Sequence, residues 1–364
     1  MSVLDGAHDA AGARWTGTGP VRVPRNYGDP AAEYEAARGG AVVADRSDRR
    51  FVRVYGRDPV KMMQGLISND IANAPPDRAV YAAVLTPKGK MIADVRVVRH
   101  GADLLLETDA AAVEPLMAHF RKFVPPLFAR FEDASGAWSE VGVYGPRARA
   151  TIEHVLDTAL RAEPTEDDLA EATLGETPLL IIGTAGFGVP GFDILVPADG
   201  VERVWNALSA AGARPVGHAT LDVLRIEAGT PRWGAELTEN TIPLEAGLRT
   251  RAISETKGCY TGQEVIVRIL HRGHVNWLLR GVLLGDAAAP SRDTPLVDPT
   301  DQRKVGRITS SAWSPRLGQT IALAYVRREV EPGAIVALES GTGNPVRVMA
   351  LPFPADPADA APDF

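Results

Sequence analysis

The chain has 364 residues, 45% of them hydrophobic and 23% charged, with a formal net charge of −7. These values describe a globular protein with more than one core, and the acidic balance excludes a general nucleic-acid binder, which needs a basic field. No apolar run approaches the ~20 residues of a membrane span, and the single cysteine, Cys259, excludes an internal disulfide or a metal site built from this chain's cysteines.

The N-terminus lacks the charged-then-apolar pattern of a signal peptide, so a cytoplasmic location is expected. Residues 1–20 are rich in Ala and Gly and read as a flexible start. Val52-Arg53-Val54-Tyr55-Gly56 alternates like a strand and precedes a helix-like stretch at 58–67. A glycine turn at Gly89 then leads into a strand through Val97, followed by an amphipathic helix near 110–122. The same series recurs: Val141-Gly142-Val143-Tyr144-Gly145, a helix at 146–160, a glycine turn at Gly188 with a strand to Val196, and a helix near 200–211. Two related modules, approximately 50–125 and 140–215, are expected, each ordered strand–helix–strand–strand–helix. In this register Asp94 and Asp193, each five residues after its glycine, occupy equivalent strand positions and face one cavity or solvent.

From 225 to 270 the chain is studded with glycines and turn residues, as expected of a segment that lines a cavity. The whole region 21–275 is taken as one functional unit. Short apolar runs at 278–285, 304–312, 320–326, 334–339 and 346–350 then predict a small antiparallel β-barrel over 276–351, with a disordered tail at 352–364. The fold class is therefore α+β.

Between Arg249 and Arg280 six Arg or Lys residues face only Glu255 and Glu264, a local positive excess suited to an anionic ligand or an acidic partner. Cys259 lies in this stretch, in Lys257-Gly258-Cys259-Tyr260-Thr261-Gly262-Gln263-Glu264. Three readings are open for it: an inert buried thiol, a thiolate activated by Lys257, or a ligand to a metal shared with a partner. His271 and His274 match no zinc spacing, and no metal site is assigned. Phosphate-loop and nucleophile-elbow motifs are lacking.

The stretch KGCYTGQEVIVRI at 257–269 resembles the signature of the YgfZ-type folate-binding proteins, relatives of the glycine cleavage T-protein, the aminomethyltransferase. The resemblance extends over Ala44-Asp45-Arg46-Ser47, Gln64 to Ile71, Thr86-Pro87-Lys88-Gly89-Lys90, Arg225 to Gly229 and Pro243 to Leu248. It implies two interleaved α/β modules and a C-terminal barrel around a central folate cavity, with tetrahydrofolate or a derivative as ligand. It also implies Asp193 as the pterin acceptor, matching a glutamate in the T-protein, and Asp94 as the match to the T-protein's catalytic acid. Phe192 adjoins Asp193. Tyr81, Phe187 and Trp233 are candidates to flank the flat rings, and arginines such as Arg249 to meet the folate's glutamate tail.

YgfZ-type relatives are implicated in the assembly or repair of iron–sulfur enzymes, including tRNA-modifying ones. By that resemblance Lys257 and Cys259 form the functional pair, and the leading expectation is a folate-binding accessory protein whose partners are iron–sulfur proteins or their assembly factors. The alternatives are a folate-dependent aminomethyl or one-carbon transferase using Asp94, and a scaffold with a vestigial folate site.

Overall fold

The computed structural model describes residues 3–16, 21–125, 127–156, 159–160, 165–339 and 345–355. The chain opens with α1 (Asp5–Ala10), β1 (Arg14–Trp15), β2 (Pro24–Asn26), α2 (Pro30–Gly39) and β3 (Val42–Asp45). A first module follows: β4 (Arg49–Gly56), α3 (Pro59–Gln64), β5 (Val80–Leu85), β6 (Met91–His100), β7 (Asp103–Asp109), α4 (Val113–Phe123) and β8 (Ala129–Asp133). The second comprises β9 (Trp138–Tyr144), α5 (Ala148–Leu156), β10 (Leu169–Leu174), β11 (Thr177–Thr184), β12 (Gly191–Pro197), α6 (Val201–Ala210) and β13 (Arg214–Pro215). Then come α7 (His218–Glu227), α8 (Arg249–Ala252) and α9 (Gln263–Arg272).

The first sheet has the order β5-β6-β7-β4-β8 and the second β10-β11-β12-β9-β3-β13. Apart from the inserted β3, the two orders correspond strand for strand. This corrects the repeat register. Each module has three consecutive strands between its helices, so β12 is the counterpart of β7, and Asp94 on β6 is not the equivalent of Asp193 on β12. The strand β7, rich in leucine and bounded by a tight turn at Gly101, is the one that the sequence pattern merges with its neighbour.

Strand alternation then decides the layers. On β6, Ala93, Val95 and Val97 pack under α3 and α4 with Leu116 and Phe120. On β12, Phe192, Ile194 and Val196 do the same under α5 and α6 with Val204, Trp205 and Leu208. The opposite faces of both sheets meet, joined by Phe51, Leu105, Leu180, Ile182 and Leu195. Full burial of each such side chain contributes about 1.5–3 kcal/mol. Where that apolar seam ends, the alternating positions become charged, and the cavity begins.

The third part is a closed antiparallel barrel of β14 (Trp277–Gly285), β15 (Pro295–Val297), β16 (Lys304–Ser314), β17 (Gln319–Arg327), β18 (Ile335–Leu338) and β19 (Pro345–Met349), ordered β14-β17-β16-β15-β18-β19. The three-residue β15 is the strand without a sequence signal. Buried ionic groups fasten the barrel to the modules. Arg225 donates to Glu236 at 2.9 Å and to Ser310 on β16 at 2.7 Å. Glu227 accepts from Tyr34 on α2 and, at 2.5 Å, from Ser314.

Both expected loose ends are corrected where the structure describes them. Leu4 and His8 are buried, and His8 bridges Asp45 and Tyr27 at 2.9 and 2.8 Å. Phe353 is buried between the barrel and α7, beside Ile226 and Leu279, so the chain is packed past 352; residues 1–2, 17–20 and 356–364 lie outside the described residues. Among the described residues, no helix is long and apolar enough to cross a membrane.

Candidate functional site

A cavity lies between the two sheets, α7 and the turn 230–233, with about 870 Å³ of unfilled space, part of it continuous with solvent. Four neighbouring strands supply its floor by alternation. Tyr81 comes from β5, Asp94 and Arg96 from β6, Glu107 from β7 and Arg49 from β4; Asp193 enters from the second sheet. Phe187, Trp233 and Arg251 complete the walls.

The floor is an ionic network. Arg49 donates through Nε to Glu107 Oε1 at 2.5 Å, and Arg96 Nε donates to the other oxygen of Glu107. Arg96 Nη2 continues to Asp193 Oδ2 at 2.8 Å, crossing from one sheet to the other. Tyr144 donates to Asp193 Oδ1 at 2.7 Å and accepts from Arg46 Nη1 at 2.8 Å. Burial by itself would raise the Glu107 pKa, but Arg96 and Arg49 outweigh it and hold the carboxyl at about 2. Glu140, fully buried behind the floor, has the opposite fate. Neither of its oxygens has a hydrogen-bond partner among the described residues. Burial, then the charges of Glu107 and Asp193, pushes its pKa well up against the pull of Arg46 and Arg96, which stand 4.0 and 3.8 Å away.

The Tyr144 ring reaches Asp193 across Gly142, two positions back on its own strand, where there is no side chain. A Cβ on Gly142 would stand 2.0 Å from the Tyr144 hydroxyl. Gly142→Ala should therefore displace the phenol and cost about 1–3 kcal/mol of stability, read by urea denaturation; an unchanged midpoint would refute this role.

Asp94 stands apart from the network. Its Oδ2 accepts from the Tyr81 hydroxyl at 3.1 Å, while its buried Oδ1 has no partner among the described residues. Burial, and then the charge of Asp94, raises the Tyr81 pKa, so the phenol stays a neutral donor. Arg251 lies over the Tyr81 ring, 4.1 Å from its centre.

The structure thus brings together Tyr81, Asp94, Asp193, Phe187 and Trp233 at one cavity. It does not bring four other candidates there. Phe192 points to the helix-covered core, because strand alternation puts it on the face opposite Asp193. Arg249 is on the surface, paired with Glu255 at 2.8 Å; the cavity arginine of this segment is Arg251. Lys257 is buried, and its Nζ donates to the carbonyls of Gln64, Ile67 and Asn69 at 2.6, 2.7 and 2.9 Å. All three ammonium donors are engaged, so Lys257 clamps the 64–69 turn; burial lowers its pKa to about 8 against the pull of Asp70. Cys259 is exposed on the surface turn before α9, outside the cavity. Of the two glycines of this motif, Gly262 has a backbone role: it takes φ 85°, and a Cβ there would stand 2.6 Å from Thr86 O.

The residues that sequence reading missed are Arg46, Arg49, Arg96, Glu107 and Tyr144. A signal existed for two of them. Arg96 sits two positions after Asp94 in an otherwise apolar strand, and Arg49 two before Phe51, each in register with a core-facing position.

Comparison with known proteins agrees with this architecture. The model of the GCVT N-terminal domain matches residues 4–256, and that of the glycine cleavage T-protein C-terminal barrel domain matches 279–354. The chain is 31% identical to an aminomethyltransferase of Rubrobacter xylanophilus, covering 95% of this chain and 92% of that one. It is 32% identical to one of Bordetella petrii, covering 96% and 95%. The crystal structure of the glycine cleavage system aminomethyltransferase T from Bartonella henselae superposes with a TM-score of 0.86 at 21% identity, over 97% of both chains, and has the same fold. These findings overturn the expectation of an accessory protein for iron–sulfur enzymes, since the curated relatives aligned along nearly the whole chain are named as aminomethyltransferases. Together the two matched domains and the full-length relatives establish that the chain belongs to the glycine cleavage T-protein family.

Proposed function

We propose that the protein is a folate-dependent transferase of aminomethyl or related one-carbon units, with tetrahydrofolate as the acceptor or donor held in the cavity between the sheets. The observation that carries this reading is the state of the two cavity acids. Asp193 is held by Tyr144 and Arg96, whereas Asp94 presents a buried oxygen with no partner among the described residues, beside a phenol that fixes its orientation. A carboxylate in that state is suited to proton transfer. As the folate ring nitrogen forms its bond to the one-carbon unit, it loses its proton to Asp94 Oδ1. The bond from the one-carbon unit to its previous carrier breaks, and the electron pair leaves with that carrier. The reverse transfer returns the proton to the nitrogen.

Asp193 retains lone pairs beyond those accepting from Tyr144 and Arg96, and these face the pterin's N–H and amino groups. Tyr81, Phe187 and Trp233 supply apolar walls for a flat ring system. The likeness of KGCYTGQE to the YgfZ-type folate-binding proteins is a likeness within this family, and in our reading it supports folate as ligand.

Two measurements test the reading. Calorimetric titration of the full chain with tetrahydrofolate should give saturable micromolar binding, and turnover should appear with a methylamine-type donor. Cys259→Ser should keep both within about two-fold, as expected of an exposed residue away from the cavity. Lack of folate binding by the wild type would sink the proposal, and loss of turnover in Cys259→Ser would move the chemistry to the surface turn.

A further inference from the structure

Arg49 is a mostly buried guanidinium, with its side chain 12% exposed, yet only its Nε is engaged. Among the described residues, its two terminal nitrogens donate no hydrogen bond. Those nitrogens belong to a cavity-lining side chain and are open to whatever fills the cavity. Asp94 faces the same cavity from the next strand but one and has an idle acceptor, Oδ1. The two lie within electrostatic reach of one another, since Asp94 raises the Arg49 pKa. They nevertheless form no ion pair within 4.0 Å. Of the other cavity carboxylates, Glu107 is taken by Arg49 and Arg96, Asp193 by Arg96 and Tyr144, Asp48 by Arg46 and Asp222 by Arg225, while Asp109, opposite Arg49 on β7, accepts at Oδ1 from the Ala111 N–H and forms no ion pair with Arg49 within 4.0 Å. An idle donor fork and an idle acceptor, set apart on one face, are complementary to a flat ring edge that carries a carbonyl oxygen next to an N–H.

We propose that Arg49 and Asp94 read such an edge together, and that Arg49 makes the site selective for a reduced pterin with a 4-oxo group over one with a 4-amino group. This rests on the folate reading above and extends it. In a tetrahydropterin the 4-oxo oxygen is peri to the ring N–H that reacts. Asp94 takes the N–H, and the Arg49 terminal nitrogens donate to the oxygen beside it. A 4-amino group in that place sets donors against donors and leaves the guanidinium without an acceptor.

The test is calorimetric titration of the full chain with tetrahydrofolate and with tetrahydroaminopterin, its 4-amino counterpart, in the wild type, Arg49→Met and Arg49→Lys, with thermal melts to confirm folding. The wild type should prefer tetrahydrofolate by about ten- to a hundred-fold in Kd. Arg49→Met should narrow that preference several-fold, because an apolar side chain there no longer distinguishes acceptor from donor, and what remains comes from Asp193, which accepts a ring N–H that the 4-amino compound lacks. Should Arg49→Met fail to fold, Arg49→Lys retains a cation for Glu107 without the planar fork and should show reduced discrimination. Equal wild-type affinity for both compounds, or an unchanged ratio in a folded variant, overturns the role of Arg49 and leaves the folate site standing. Binding of neither compound overturns both.

Discussion

Asp94→Asn should lower kcat by about 10²- to 10⁴-fold while changing the affinity for tetrahydrofolate only a few-fold. The amide preserves the size of the side chain and can still accept the 3.1 Å hydrogen bond from Tyr81. It cannot take a proton. The two readouts therefore separate: steady-state turnover with a methylamine-type donor reports the proton transfer, and calorimetric titration reports the ring contacts. Tyr81→Phe is the companion variant. It removes the donor to Oδ2 but keeps the ring under Arg251, and should cost less than Asp94→Asn because the acid itself survives. A folded Asp94→Asn protein with wild-type kcat would remove Asp94 from the chemistry and leave it as a binding group alone.

The second large effect is on stability. Glu107→Gln should cost about 3–5 kcal/mol, a large part of the ~5–15 kcal/mol that holds an ordinary domain folded. The carboxylate neutralises two buried guanidiniums, Arg49 and Arg96. Arg96 in turn links the sheets through Asp193. With a neutral amide at 107, Arg49 has no ion-pair partner within 4.0 Å among the described residues and Arg96 keeps only Asp193 at 2.8 Å and the more distant Glu140 at 3.8 Å.

The pH dependence follows from the same contact. The folded-state pKa of Glu107, about 2, is below its ordinary value of 4.5. A depressed carboxyl stabilises the fold fully above the unfolded pKa, and that contribution is lost as pH falls from about 4.5 through 2. The wild-type protein should thus lose stability steeply across this window. Glu107→Gln should lack that part of the slope, so the two stability curves converge toward pH 2. Chemical denaturation at pH 7, 5, 4 and 3 checks this, and parallel curves would refute the role of Glu107.

Much of the fold was legible in the sequence because it rests on period and punctuation. The alternation at Val52–Gly56 and Val141–Gly145, the amphipathic helices and the glycine turns gave two related modules, and the short runs after 277 gave a barrel. The repeat register was misread by one strand. β7 is separated from β6 by a two-residue turn and is apolar like a buried strand anywhere, and local pattern does not distinguish one such strand from the next. At the site, sequence placed Asp94, Asp193, Tyr81 and Trp233 as candidates, while the cysteine motif lies on a surface turn whose Gly262 and Lys257 hold the backbone.

The sequence by itself determined which residues share a face of a strand, since side chains alternate with period two: Asp94 with Arg96, Arg49 with Phe51, Asp193 opposite Phe192. Only the tertiary structure decided which of those faces meet. Arg96 and Asp193 are 97 residues apart in the chain and 2.8 Å apart in space. That contact engages one acid and leaves the other with an idle oxygen. A carboxylate's chemistry depends on which charges and donors surround it, and those neighbours are fixed by the packing of two sheets against each other, a property that the spacing along either strand does not contain.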